Sequence, residues 1–190
     1  MTQPILTAEE VLAWNEKTAQ NWRQLLTTHP ELLTQPCDIA GTKTIAELLQ
    51  HIVAAQLRYA ERLAGLPISD YATIPFESVE SIYATHDRAT RIFQQLFTSD
   101  IDWSEPMDFT TRTMGTLRSD RKTILFHALL HGIRHYAQLA SLVRQCGVKP
   151  DWRMDYLSCT PSGSNRKLVH QLLPNIVCSR YRRYDSSGEP

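Results

Sequence analysis

This sequence predicts an all-α four-helix bundle with an irregular C-terminal tail. Three observations support that class: four long segments repeat apolar residues at intervals of three and four, prolines and glycines punctuate the stretches between them, and the lengths of the connections fit an up-up-down-down order.

The first helix is expected over residues 7–29, where Val11, Trp14, Thr18, Trp22, Leu25 and Leu26 share one face. Thr7 is the natural N-cap, with Glu10 at capping-box spacing. Two prolines and a glycine make residues 30–42 irregular. The second helix covers residues 44–64 through Ile45, Leu48, Leu49, Ile52, Val53, Leu57, Ala60 and Leu63, and Gly65 stops it. The third takes residues 76–97, with Val79, Ile82, Tyr83, Ala89, Ile92 and Phe93 turned inward. Residues 99–118 are polar and broken by Pro106 and Gly115, and the run MDFTTRTMGTL suits a short two-stranded excursion. Ser119 or Asp120 caps a fourth helix that runs to Cys146 and ends at Gly147. The links after helices one and three, roughly 13 and 20 residues, are long enough to return along a bundle, whereas the middle link is shorter; this favours up-up-down-down over a simple up-down-up-down order.

With 190 residues, one domain is the expectation: the bundle over 1–157 and a mobile, basic, turn-rich tail over 158–190. Hydrophobic residues at 42% and charged residues at 21% are those of an ordinary globular chain, and no apolar run approaches the roughly 20 residues of a membrane span. A formal net charge of zero gives no basic surface for nucleic acid. The N-terminus has no basic flank leading into an apolar block, so a cytoplasmic protein is expected. The cysteines at 37, 146, 159 and 178 contain no CxxC pair and read as free thiols.

The chemistry concentrates in FHALLHGIRHYAQLASLVRQCG, residues 126–147. His127, His131 and His135 recur every four residues, so they share one stripe of helix four together with Gln138. Two imidazoles four apart rise by roughly 6 Å and can reach one metal ion. A third ligand must come from another helix, and His51, central in helix two at the margin of its apolar stripe, is the best candidate. The bare HxxxH lacks the glutamate of HExxH, and a histidine beside an apolar stripe is more often a hydrogen-bonded core residue. Spacing therefore leaves open both a metal site and a metal-free bundle whose histidines bond to one another. Cys146, about 16 Å along the helix from His135, is too far to join them. His29, His86 and His170 read as surface residues.

TIAELLQHIVAAQLRYAERLAG, followed some 60 residues later by the His-bearing segment and then by PDWRMDYL, resembles the DinB (damage-inducible) family, within the DinB/YfiT-like superfamily, whose members are regarded as metal-dependent enzymes. The resemblance covers about residues 5–157. It implies an up-up-down-down bundle, commonly a homodimer, holding one divalent metal ion, nickel or zinc, through three histidines. Carried onto this sequence, those are His51, His131 and His135. His127 matches a histidine that is usually not a ligand and becomes a neighbour of the site or of substrate, as does Gln138. Tyr136 and Ala137 stand where the family usually has Arg-Gly, so the role of that arginine is lost or passes to Arg134.

Three histidines leave a coordination position open, as in catalytic sites. The resemblance implies transfer chemistry with a small-molecule, low-molecular-weight thiol, because relatives in the superfamily are thiol-dependent transferases and isomerases. A metal-dependent hydrolase needs a general base, for which Glu47 and Glu61 are poorly placed: Glu47 reads as a solvated helix residue and Glu61 lies about 15 Å beyond His51. The remaining alternative is a non-catalytic stress-response or metal-binding module. The sequence names no catalytic residue.

Overall fold

Thr7 opens the first helix in the way its spacing to Glu10 requires. Its hydroxyl accepts the Glu10 N–H at 3.2 Å and the Glu10 carboxylate accepts the Thr7 N–H at 2.8 Å, giving α1, Ala8–Thr28. The computed structural model describes residues 5–111 and 115–159, so the tail expected from 158 onward lies outside the described residues but for its first two positions.

Among the described residues, four long helices and one hairpin make up the fold. Thr44 caps α2, Ile45–Leu63, by accepting the Glu47 N–H, and Glu47 reaches back to the Lys43 N–H at 2.7 Å. Glu47 is thus occupied at its helix start. Helix α3, Val79–Phe97, begins later than the apolar spacing suggests, because Ser78 and Ser81 form a reciprocal cap that leaves Phe76 outside the helix, packed on the core. Strands β1, Pro106–Thr111, and β2, Gly115–Asp120, pair antiparallel with Pro106 opposite Asp120. Asp120, rather than Ser119, caps α4, Arg121–Gln145, and Gly147 takes the left-handed conformation that ends it. A last turn, α5, Tyr156–Cys159, follows a segment tied to α1: Trp14 Nε1 donates to the Met154 carbonyl, and Trp152 meets Trp22 edge-on at 5.2 Å. Among the described residues no helix is long and apolar enough to cross a membrane.

The helix order corrects the expected up-up-down-down. Asn15 bonds to Leu129 and Trp22 stacks on Tyr136, so α1 and α4 run parallel. His51 meets His131 while Tyr59 meets His127, so α2 opposes α4; Arg23 pairs with Asp87 while Gln94 bonds to Glu16, so α3 opposes α1. The order is up-down-down-up. Link length misleads here because residues 29–44 fold locally into 3₁₀ turns at Pro30–Thr34 and Ile39–Gly41, closed by a bridge between Pro36 and Thr44. The shorter middle link makes the return journey instead. It is laid along α2, with Arg58 donating to the Ser69 carbonyl and Gln50 to the Ile74 carbonyl. Buried Glu61 anchors its start by accepting from the Ser69 N–H and hydroxyl, each at 2.7 Å, and from Arg88.

The core has two apolar clusters, one around Trp22, Leu49, Tyr83 and Leu139, the other around Val11, Leu57, Phe93 and Leu125. At a level between them lies a chain of hydrogen bonds that crosses all four helices. The Thr90 hydroxyl donates to His86 Nε2 at 3.4 Å, His86 Nδ1–H to Gln56 Oε1 at 3.0 Å, the Gln56 amide to Asn15 Oδ1 at 2.7 Å, and the Asn15 amide to the Leu129 carbonyl at 2.9 Å. His86 is therefore not a surface residue. It is 5% exposed, hidden from a sequence reading by its charged, half-buried neighbour Asp87.

Burial pushes His86 down to about 4, with Asp87 opposing and Arg23 assisting. Protonation thus favours the unfolded chain, whose histidine titrates near its ordinary value. The resulting stability is complete above about pH 6.5 and is lost as pH falls toward 4, by about 2 kcal/mol between pH 7 and 5. Urea unfolding at the two pH values should show that loss in the wild type, and His86→Gln should reduce it by the same amount. An unchanged pH dependence in the variant would refute the assignment.

Candidate metal centre

Residues 51, 131 and 135 meet because α2 and α4 run antiparallel at this level. His131 Nε2 lies 3.2 Å from His51 Nε2 and 3.1 Å from His135 Nε2, and one ligand atom from each of the three lies within 4.8 Å of the others. For comparison, two nitrogens at opposite edges of a tetrahedral zinc site with bonds of 2.0–2.1 Å are about 3.3 Å apart, so the separations fit a shared ion.

Protonation states fit as well. The Gln138 side-chain oxygen accepts from His135 Nδ1 at 2.7 Å, which fixes the proton on Nδ1 and turns the lone pair of Nε2 into the cluster. Burial is the largest cause that holds His131 down to about 3, with His135, His51, His127 and Arg134 adding to it. Burial likewise lowers His135, against the Gln138 bond. A cation needs neutral imidazoles, and burial favours that form at His131 and His135. His131 Nε2 can donate to only one of its two neighbours, so the trio leaves a lone pair that a cation would satisfy. His131 Nδ1 is buried with no hydrogen-bond partner among the described residues.

The cluster forms the floor of a partly open cavity of about 780 Å³. His127 stands at its rim, exposed, 5.7 Å from the His131 ring and 5.4 Å from that of Tyr59. Burial and then Arg134 lower its pKa. The wall beyond it is built from Tyr59, Arg58 and Arg62 of α2, Tyr71 of the return link, and Thr110 and Thr111 of β1. Phe109 holds the hairpin against this wall, 6.2 Å from Tyr59. Burial raises the Tyr59 phenol, and the nearby Arg62 and Arg58 oppose that rise.

Sequence reasoning missed these arginines. They belong to no motif on α2, and the hairpin folded over them makes them cavity residues. Arg134, considered as a stand-in for the arginine missing at position 136, does line the cavity. Glu61 is spent on Ser69 and Arg88, and neither it nor Glu47 lines the cavity. Cys37 is buried and Cys146 exposed, both as free thiols.

No curated protein matches the chain. The model of the DinB family does, over residues 1–165, the span that holds the bundle, the hairpin and all three clustered histidines; the chain belongs to the DinB family.

Proposed function

We propose that the three histidines hold one divalent ion, nickel or zinc, and that the protein is a metal-dependent transferase acting on a low-molecular-weight thiol. The observation that carries this reading is the position of the cluster: its nitrogens converge at the floor of an open cavity rather than inside a closed shell. When bound, such an ion supplies Lewis acidity that lowers the pKa of a coordinated thiol or water.

The chain's own residues favour the thiol over water. A hydrolase needs a base that takes a proton from water during attack, and among the described residues no carboxylate lines the cavity. A thiol is far easier to ionise. His127, exposed at the rim with its pKa lowered by partial desolvation and by Arg134, accepts the thiol proton, and the sulfur then displaces a leaving group from an electrophilic carbon. Gln138 orients His135, and Tyr59, backed by Phe109, offers an aromatic wall for the electrophile. A second copy would cover Leu130, which lies 45% exposed on the outer face of α4 in line with Phe126 and Ile133. A homodimer seen by light scattering supports that part, and a monomer removes it.

The test is elemental analysis of untagged protein, followed by a thiol-consumption assay with an aryl halide as electrophile. About one nickel or zinc per chain and a turnover absent from His131→Ala are expected. Metal without turnover for any thiol would leave a non-catalytic metal-binding module.

A further inference from the structure

The cavity above the histidines is one-sided in charge. Arg58, Arg62 and Arg134 line it and, among the described residues, no aspartate or glutamate does. Nor is any of the three in an ion pair with a described carboxylate. Arg58 Nη1 donates to a neutral acceptor, the Ser69 carbonyl, at 2.6 Å. Arg62 lies over the rings of Tyr59 and Phe109, 5.8 and 5.9 Å from their centres. The acidic groups closest in sequence are engaged elsewhere: Glu61 with Arg88, Asp108 with Arg118, and Glu47 with the backbone of Lys43. Arginines away from the cavity, Arg23 and Arg121 among them, do find acidic partners.

Three like charges around one concavity repel each other, and they focus a positive potential into a low-dielectric space. A guanidinium is also the side chain whose planar fork matches carboxylate and phosphate oxygens. The placement is informative too. Arg134 lies between the two histidines of α4, whereas Arg58 and Arg62 lie roughly 10 and 16 Å further along α2 than His51. Arg62 is held in position by the two rings rather than by a counter-charge.

We infer that the cavity takes an elongated small molecule with oxyanion groups at both ends, one received by Arg134 beside the histidines and the other by Arg58 and Arg62. This rests on the reading that substrate enters this cavity, and it names the charge and shape of that substrate. The thiol, its electrophile or both carry the oxyanions; the reacting carbon lies at the Arg134 end, over the three histidines.

Calorimetric titration of metal-free and zinc-loaded protein tests this with linear dicarboxylates of increasing length, their monoacids, their diamides and inorganic phosphate. A diacid of one preferred length should bind about tenfold tighter than its monoacid, with or without zinc, and weaken as salt is raised. Arg134→Gln and Arg62→Gln should each reduce the diacid to the level of the monoacid while metal content stays unchanged. Phosphate outcompeting the diacids would identify phosphoryl oxygens as the group recognised. Diamides binding as well as diacids, or glutamine variants binding like wild type, would overturn the inference while leaving the metal reading intact. Loss of metal with arginine-dependent binding retained would do the reverse. If Arg62→Gln fails to fold, the salt dependence of the wild type decides alone.

Discussion

His131→Ala loses its metal, and His127→Ala keeps it. The two residues are one helical turn apart and look alike in sequence, yet only His131 places its Nε2 within 3.2 Å of both His51 and His135. Binding energies of about 10–16 kcal/mol for four-ligand zinc sites assign roughly 3–4 kcal/mol to each ligand, so removing one weakens affinity by two to three orders of magnitude. His127 contributes no nitrogen to the cluster and should change affinity by less than about threefold. Gln138→Ala falls between, at about 10–100-fold, because it leaves the ring of His135 without the acceptor that fixes its tautomer. Competition against a chromogenic chelator reads all three. Equal losses at 127 and 131 would show that the ion sits higher in the cavity than the three nitrogens indicate.

The second large effect is expected at a residue without a side chain. Gly132→Ala should lower stability by about 2–4 kcal/mol although alanine is the better helix former by about 1 kcal/mol. A Cβ at 132 would lie 2.7 Å from Gln56 Nε2 and 2.9 Å from Asn15 Nδ2, inside the hydrogen-bonded chain. Both amides are buried, and moving either breaks bonds of 2.7 and 2.9 Å. Overpacking costs about 1–3 kcal/mol, and each buried polar group left unpaired costs about as much again. At roughly 2–4 °C per kcal/mol for a chain of this size, the melting temperature should fall by about 5–15 °C. In an Asn15→Ala, Gln56→Ala background the same substitution should be nearly harmless, since the obstructing groups are gone. A wild-type melting temperature in the single variant would mean that the amides yield without cost.

Helix ends were legible because they are local. Thr7 with Glu10, Gly65 and Gly147 act within a single turn, and the structure uses each of them as its spacing suggests. The histidine stripe was legible for the same reason. Chain direction was not, because it depends on where a link is anchored: Glu61 and Gln50 hold residues 69 and 74 against α2, and nothing in the length of the link announces that. His86 was misread because one charged neighbour resembled a surface signature, while its partner, Gln56, lies thirty residues away on another helix. Arg58 and Arg62 were invisible because the docking of the expected hairpin against α2 is a matter of packing by Phe109 rather than of motif.

The hydrogen-bonded chain from Thr90 to Leu129 works as an axial key. Oily helices are indifferent to small slippage, since leucine moved by one turn, about 5.4 Å, still finds leucine. Asn15, Gln56 and His86 have no such tolerance, because any slip strands all of them at once. Replacing the chain with aliphatic residues could therefore raise melting temperature while letting α2 and α4 drift. His51 and His131 belong to those two helices, and a shared ion tolerates errors of only about 0.2 Å. The spacing of the three histidines is thus set by groups outside their cluster, and a sturdier bundle without them would hold those nitrogens less accurately.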